Sequence, residues 1–222
     1  MLRNKFYIVL WSIMMITQAQ GQVNDMRLWN RITVEKHLSK HWSLEGLVGS
    51  RLGQNISALE IFYLEGGVNY KYNKHWSAEF HYRYSSKTDF TDRYEVRHRA
   101  QIKLSYDTKW RKIITKYYLQ FQKQFTDVDR SEDWMNPGNY IRGQFTLSYD
   151  TDRKWRPYAA VELFHQIKYD RQEFNRVRYE MGVKYKLDKH STIQPFYMIQ
   201  REFNESNPMH SYIIGLNYKL EI

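Results

Sequence analysis

The chain has 222 residues, with 34 Lys and Arg against 24 Asp and Glu, a formal net charge of +10 and no cysteine. Without cysteine there is neither a disulfide framework nor a lipid-modified anchor, so an exported domain of this sequence must rely on its fold and its solvent. The basic residues are dispersed through the chain instead of running in blocks, which argues against a nucleic-acid partner.

In chain order, the first segment pairs Arg3 and Lys5 with an uncharged run from Phe6 to Ile16 and then the small residues Ala19 and Gly21. This is the layout of a secretory signal peptide, expected to span residues 1–21 and to be cleaved before Gln22, leaving residues 22–222 as one barrel domain. The apolar run falls short of the ~20 residues a spanning helix needs, and no later stretch approaches that length. In the next segment, 26–36, Leu28, Ile32 and Val34 alternate with Arg31, Thr33 and Glu35. It reads as an extra strand without an obvious partner.

From Trp42 onward the period of two is sustained. Trp76, Ala78, Phe80, Tyr82 and Tyr84 oppose Ser77, Glu79, His81, Arg83 and Ser85. Tyr94 to Tyr106 and Val177 to Leu187 follow the same rule. Such strands exceed the ~5–6 residues typical of soluble sheets and fit tilted membrane-spanning strands of ~9–11 residues plus their ends. Short polar turns recur with similar wording, as in Lys40-His41-Trp42-Ser43 and Lys74-His75-Trp76-Ser77, and in Lys-Trp-Arg at 109–111 and 154–156. Trp42, Trp76, Trp110 and Trp155, with Tyr72, Tyr106, Tyr149 and Tyr185, flank these turns and read as an aromatic girdle at a membrane–water boundary.

These landmarks give five hairpins, over 42–72, 76–106, 110–149, 155–187 and 191–222. The expected fold is an all-β transmembrane, antiparallel, up-and-down barrel of about ten strands, with twelve as the alternative. The tips between paired strands, the longest at 125–138, are expected outside the cell and the short turns in the periplasm. Alternation alone leaves the direction of the faces open, because a soluble lipocalin-like barrel points its apolar residues inward. Strand length, the aromatic belt and a strand count above eight favour apolar faces turned to lipid.

The chain resembles the DUF2490 family of roughly 200-residue outer-membrane barrels. The resemblance is carried by Leu28-Trp29, Leu38-Ser39-Lys40-His41-Trp42-Ser43-Leu44-Glu45, Tyr82-Arg83-Tyr84, Arg97-His98-Arg99, Glu162-Leu163-Phe164 and Tyr197-Met198. It implies an outer-membrane location and supplies no activity. The apolar last strand, Tyr212 to Ile222, is similar to the signature by which barrel-assembly machinery takes up its clients, although Ile222 stands where an aromatic residue is usual.

With apolar residues outward, a charged network is expected in the lumen. It comprises Glu79, His81, Arg83, Glu95, Arg97, Arg99, Lys103, Arg142, Glu162, Arg176, Arg178, Glu180 and Lys184. Either these groups pair and fill a narrow barrel, or a surplus of basic residues forms a constriction that selects small anionic solutes. Two other function classes remain open. A lipid-processing hydrolase would draw on His81, Glu79 and the hydroxyls of Ser77, Ser85 and Ser105, but no catalytic signature accompanies them. A surface binding protein would act through loop 125–138 with Asp127, Asp129, Glu132 and Asp133, whose spacing does not meet that of a calcium loop. No cofactor or metal is expected. The expected partners are outer-membrane lipid, the assembly machinery and a small anionic solute.

Overall fold

Strict alternation of apolar and charged residues makes strands whose two faces must meet different surroundings, and a sheet of such strands leaves no bare edge only when it closes. The computed structural model describes residues 23–88, 94–126, 138–167, 172–205 and 208–222. Residues 1–22, where the signal peptide is expected, and 127–137, the heart of the long loop, lie outside them. Among the described residues there are eleven strands: β1 (Val23–His37), β2 (Trp42–Gly53), β3 (Ala58–Lys71), β4 (Trp76–Thr88), β5 (Tyr94–Trp110), β6 (Ile113–Thr126), β7 (Gly138–Tyr149), β8 (Trp155–Ile167), β9 (Gln172–Lys186), β10 (Ser191–Glu202) and β11 (Met209–Glu221). They form one closed barrel in which every sequential pair is antiparallel.

The count corrects the expected ten or twelve. Segment 26–36 is part of β1, which pairs antiparallel with β2 and parallel with β11, from Val23 opposite Met209 to Glu35 opposite Glu221. An odd number of up-and-down strands can close only through one parallel pair. The seam is fastened at its lower end by His37 N–H donating to the Ile222 carbonyl at 3.0 Å and Ile222 N–H donating to that of Glu35 at 2.8 Å.

The turns that follow β1, β3, β5, β7 and β9 lie at one end of the barrel, and three of them share a mechanism. In Ser39-Lys40-His41-Trp42, Asn73-Lys74-His75-Trp76 and Asp188-Lys189-His190-Ser191, the first side chain accepts the backbone N–H groups of the third and fourth residues at 2.7–3.2 Å. This is the local closure that makes Ser, Asn and Asp turn residues. The two N–H groups, that of His190 first, hold the Asp188 carboxyl below its usual range. The histidine then donates Nδ1–H to the carbonyl at the end of the neighbouring strand: His41 to Lys71 at 2.7 Å, His75 to Asp107 at 2.8 Å and His190 to Glu221 at 3.1 Å.

Above these turns stands the aromatic belt. Trp42 and Tyr70 approach to 4.6 Å between ring centroids and Trp76 and Tyr106 to 4.9 Å, on the outer face. Trp110, Trp155, Tyr72, Tyr149 and Tyr185 are likewise exposed at this end. Higher up, Phe62, Leu64, Phe80, Ile102, Leu119, Phe121, Leu163, Met181 and Ile214 also point outward and are exposed. A continuous apolar exterior with polar groups inside is the inverse of a lipocalin-like barrel and suits a hydrocarbon surround.

Two bulges adjust the upper rim. Glu60 is the extra residue where Arg51 opposes Ile61 and Leu52 opposes Leu59, and its carboxylate meets Arg27 at 3.1 Å. Asn175 is extra where Phe164 opposes Arg176 and His165 opposes Phe174, and its amide donates to Gln166 and Glu205. Inside, glycines make room for rings on the next strand. A Cβ on Gly215 would meet the Phe196 ring at 2.0 Å, and on Gly182 the Tyr158 hydroxyl at 2.7 Å. Rings laid across glycine shield its backbone and fill space that a second side chain would contest.

Candidate functional site

Because side chains alternate, the odd-numbered residues of β1 to β5, the even-numbered ones of β6 to β10 and the odd-numbered ones of β11 share the interior. The exceptions lie beyond the bulges of β3 and β9, where the parity reverses and Glu60 turns inward and Phe174 outward. They surround a cavity of about 1570 Å³ whose lining reaches Lys40, His41, Lys74 and His75 at the turn end and Gln54, Glu60, Thr88 and Met209 at the loop end.

Of the thirteen network residues expected from sequence, twelve line this cavity: Glu79, His81, Arg83, Arg97, Arg99, Lys103, Arg142, Glu162, Arg176, Arg178, Glu180 and Lys184. Glu95 pairs with Arg97. They form two hubs with satellite pairs, not one network. In the first hub the Glu65 carboxylate receives Arg83 Nε, Gln101 Nε2 at 3.2 Å and His81 Nδ1 at 3.0 Å, with Arg99 at 3.5 Å. In the second, Glu162 receives Arg142 Nε at 2.9 Å, Arg178 at 3.3 Å and the Tyr118 hydroxyl. Both carboxylates are buried, and each gathers more cationic donors than one ion pair would supply, the condition under which enclosed charge is tolerated. The satellites are Lys103 with Glu79, Arg176 with Glu202, and Lys219 with Glu35 and Glu221.

Aromatic faces hold the guanidinium groups flat. Arg51 lies 3.9 Å over the Trp29 ring, Arg83 3.9 Å over Tyr63, and Arg142 and Arg178 4.6 and 4.5 Å over Phe164. Stacking against a ring fixes the guanidinium plane and leaves its edge donors free to meet oxygen. Trp29 packs in turn with Tyr158, Phe196, Met198 and Ile213 along β1, β8, β10 and β11. The interior therefore has an apolar wall beside its charged groups, with Arg51 and Arg178 lying against Trp29.

Sequence reading missed most of the apolar wall, and with it Arg27, Arg31 and Glu35 of β1. The signal was present, since Arg31, Thr33 and Glu35 alternate correctly, but a strand without a hairpin partner has no register to inherit. Lys112 sits in the β5–β6 turn, outside the lumen, and pairs with Asp152. Of the hydrolase candidates, Glu79 lies 3.8 Å from His81 Nε2, which meets Asn69 Oδ1 more closely at 2.9 Å, and the Ser85 hydroxyl donates to the Arg97 carbonyl and not to the histidine. Among the described residues no group of three or more His, Cys, Asp or Glu is placed to hold a metal ion. The acidic cluster of loop 125–138 falls on residues outside those described.

Among solved structures the chain is similar to the KdgM porin in complex with disordered oligogalacturonate, at 14% identity and a TM-score of 0.50, covering 86% of this chain and 95% of that one. It is also similar to the NanC porin, at 15% identity and a TM-score of 0.49 over 79% and 86% of the two chains. Outer-membrane OmpT of Vibrio cholerae follows at 10% identity and 0.42, covering 73% and 55%. The KdgM likeness shows the fold, a porin-like barrel. No curated protein sequence matches the chain. The family model described as "Protein of unknown function (DUF2490)" matches residues 26–210, so the chain belongs to the DUF2490 family.

Proposed function

We propose that the protein sits in the outer membrane, loop end outward, and is a narrow channel that favours small anionic solutes. One observation carries this reading: the cavity spans the barrel from one end to the other, and among the described residues lining it there are 18 Lys and Arg against 10 Asp and Glu. A low-dielectric wall around a surplus of positive charge raises the local concentration of anions and repels cations, and the effect weakens as salt rises. Porin folds place such charge where a solute must pass. The competing reading, a barrel filled by its own ion pairs, draws on the two buried hubs.

Planar-bilayer recording separates the two. In a salt gradient of potassium chloride the purified barrel is expected to show a reversal potential on the chloride side at about 0.1 M. The preference should shrink toward 1 M, as the screening length falls from ~10 to ~3 Å. Changing both Arg97 and Lys116 to Glu cuts the lining surplus from eight positive charges to four and should move the reversal potential toward zero or past it. Arg99 is unsuited to this change because it faces Glu65 at 3.5 Å, where a second carboxylate would disturb folding. A barrel that inserts without conducting, or that prefers potassium, rules the reading out.

A further inference from the structure

Ten arginines line the cavity among the described residues, and eight of them have a carboxylate within ion-pair reach. The two without one are Arg31 and Arg51, and they are neighbours. Arg51 stands opposite Trp29 on the β1–β2 ladder, while Arg31 stands opposite Gly49 two residues further along. Both keep a buried Nε with no hydrogen-bond partner. On the other side of Gly49 its β3 partner is Tyr63, whose ring lies across the glycine so that a Cβ there would meet the phenol oxygen at 2.4 Å. Tyr63 thus extends toward β1, and Arg51 sits 5.6 Å from its ring. Trp29, stacked at 3.9 Å, fixes the Arg51 plane.

Two guanidinium groups with no carboxylate within ion-pair reach, Glu180 acting on Arg31 from further off, one held flat and both beside a phenol that finds its space over a glycine, present N–H and O–H donors that no protein oxygen receives. Such an arrangement is complementary to a planar or tetrahedral oxyanion, to which guanidinium edges donate in pairs. We propose that Arg31, Arg51 and the Tyr63 hydroxyl form a binding subsite for the oxyanion group, carboxylate or phosphate, of the solute that the channel passes. The subsite rests on the channel reading for its purpose. The other lumen arginines set the field, while these two make contact with the solute.

Calorimetric titration of the detergent-folded, full-length barrel with inorganic phosphate, and separately with acetate, tests it, alongside bilayer recording of the same preparations. The unmodified barrel is expected to bind at least one of the two anions at a single site, and that anion should reduce the chloride current. Arg31→Lys and Arg51→Lys keep the charge but lose the fork, and should each weaken binding about 10-fold, the loss of a charge-assisted hydrogen bond. Tyr63→Phe, which removes one oxygen and nothing else, should act in the same direction. Arg156→Lys, beside Asp150 at the turn end, should leave binding unchanged. Equal binding by all variants would mean a diffuse field and overturns the subsite, as does an anion-selective channel that binds neither anion. Binding lost in the three variants by a barrel that does not conduct sustains the subsite and removes the channel.

Discussion

Glu162→Ala is expected to lower the unfolding free energy of the barrel by about 3–5 kcal/mol, because it strands Arg142 and Arg178 in the interior without their shared counter-ion. The Glu162 side chain is 4% exposed and those of its two arginine partners 13% and 10%, so water offers little compensation. The Tyr118 hydroxyl loses its acceptor in the same change. Glu95→Ala serves as the comparison. It removes a pair with Arg97 in which both side chains are about a third exposed, and should alter stability by less than about 1 kcal/mol. Equilibrium urea unfolding of the two variants in lipid vesicles measures the difference. Equal, small effects would mean that the lumen is wet enough to solvate both pairs alike, and the two hubs would lose their structural role.

The second large effect is expected on the opposite face. Ile102 lies between Phe80 of β4 and Phe121 of β6, pointing outward near the middle of β5, with 57% of its surface exposed. In water Ile102→Arg would be a mild surface change, but in hydrocarbon it should destabilise by about 2–4 kcal/mol. Gln144→Arg faces the cavity beside Glu162 and should be close to neutral. The same vesicle unfolding decides between them, and an Ile102→Arg barrel as stable as the Gln144→Arg one contradicts a lipid-facing exterior.

Strands and faces were legible because the side-chain period in a strand is two, so an uninterrupted run such as Glu95 to Tyr106 declares both its length and its inward side. β1 was only half legible. Asn30 interrupts its outer row between Leu28 and Ile32, and Trp29, an apolar residue, occupies the inner row. Its parallel partner β11 is the last strand of the chain, a pairing that no turn announces. The third capped turn, Asp188-Lys189-His190-Ser191, escaped because serine stands where the other two have tryptophan. The mechanism lies in the capping oxygen and the histidine, not in the tryptophan.

The interior was legible in kind but not in detail. Alternation points Glu162, Arg142 and Arg178 inward, yet it is the register across β7, β8 and β9 that brings both arginines to one carboxylate. The inward aromatics were hidden for a related reason. Tyr63, Tyr158 and Phe196 look like breaks in a polar row until the glycines beside them, Gly49, Gly182 and Gly215, are placed on the neighbouring strand. The loss of partners at Arg31 and Arg51 is visible only once the barrel has closed.

The central claim is that β5 presents one face to lipid and the other to water inside a closed barrel. Because the sequence contains no cysteine, single cysteines at positions 96 to 104 can be read without background. In vesicles, residues 97, 99, 101 and 103 should react with a water-soluble, membrane-impermeant thiol reagent, while 96, 98, 100, 102 and 104 should resist it and instead carry labels quenched by lipid-borne nitroxide. The opposite phase, or reactivity without any period of two, would contradict the account.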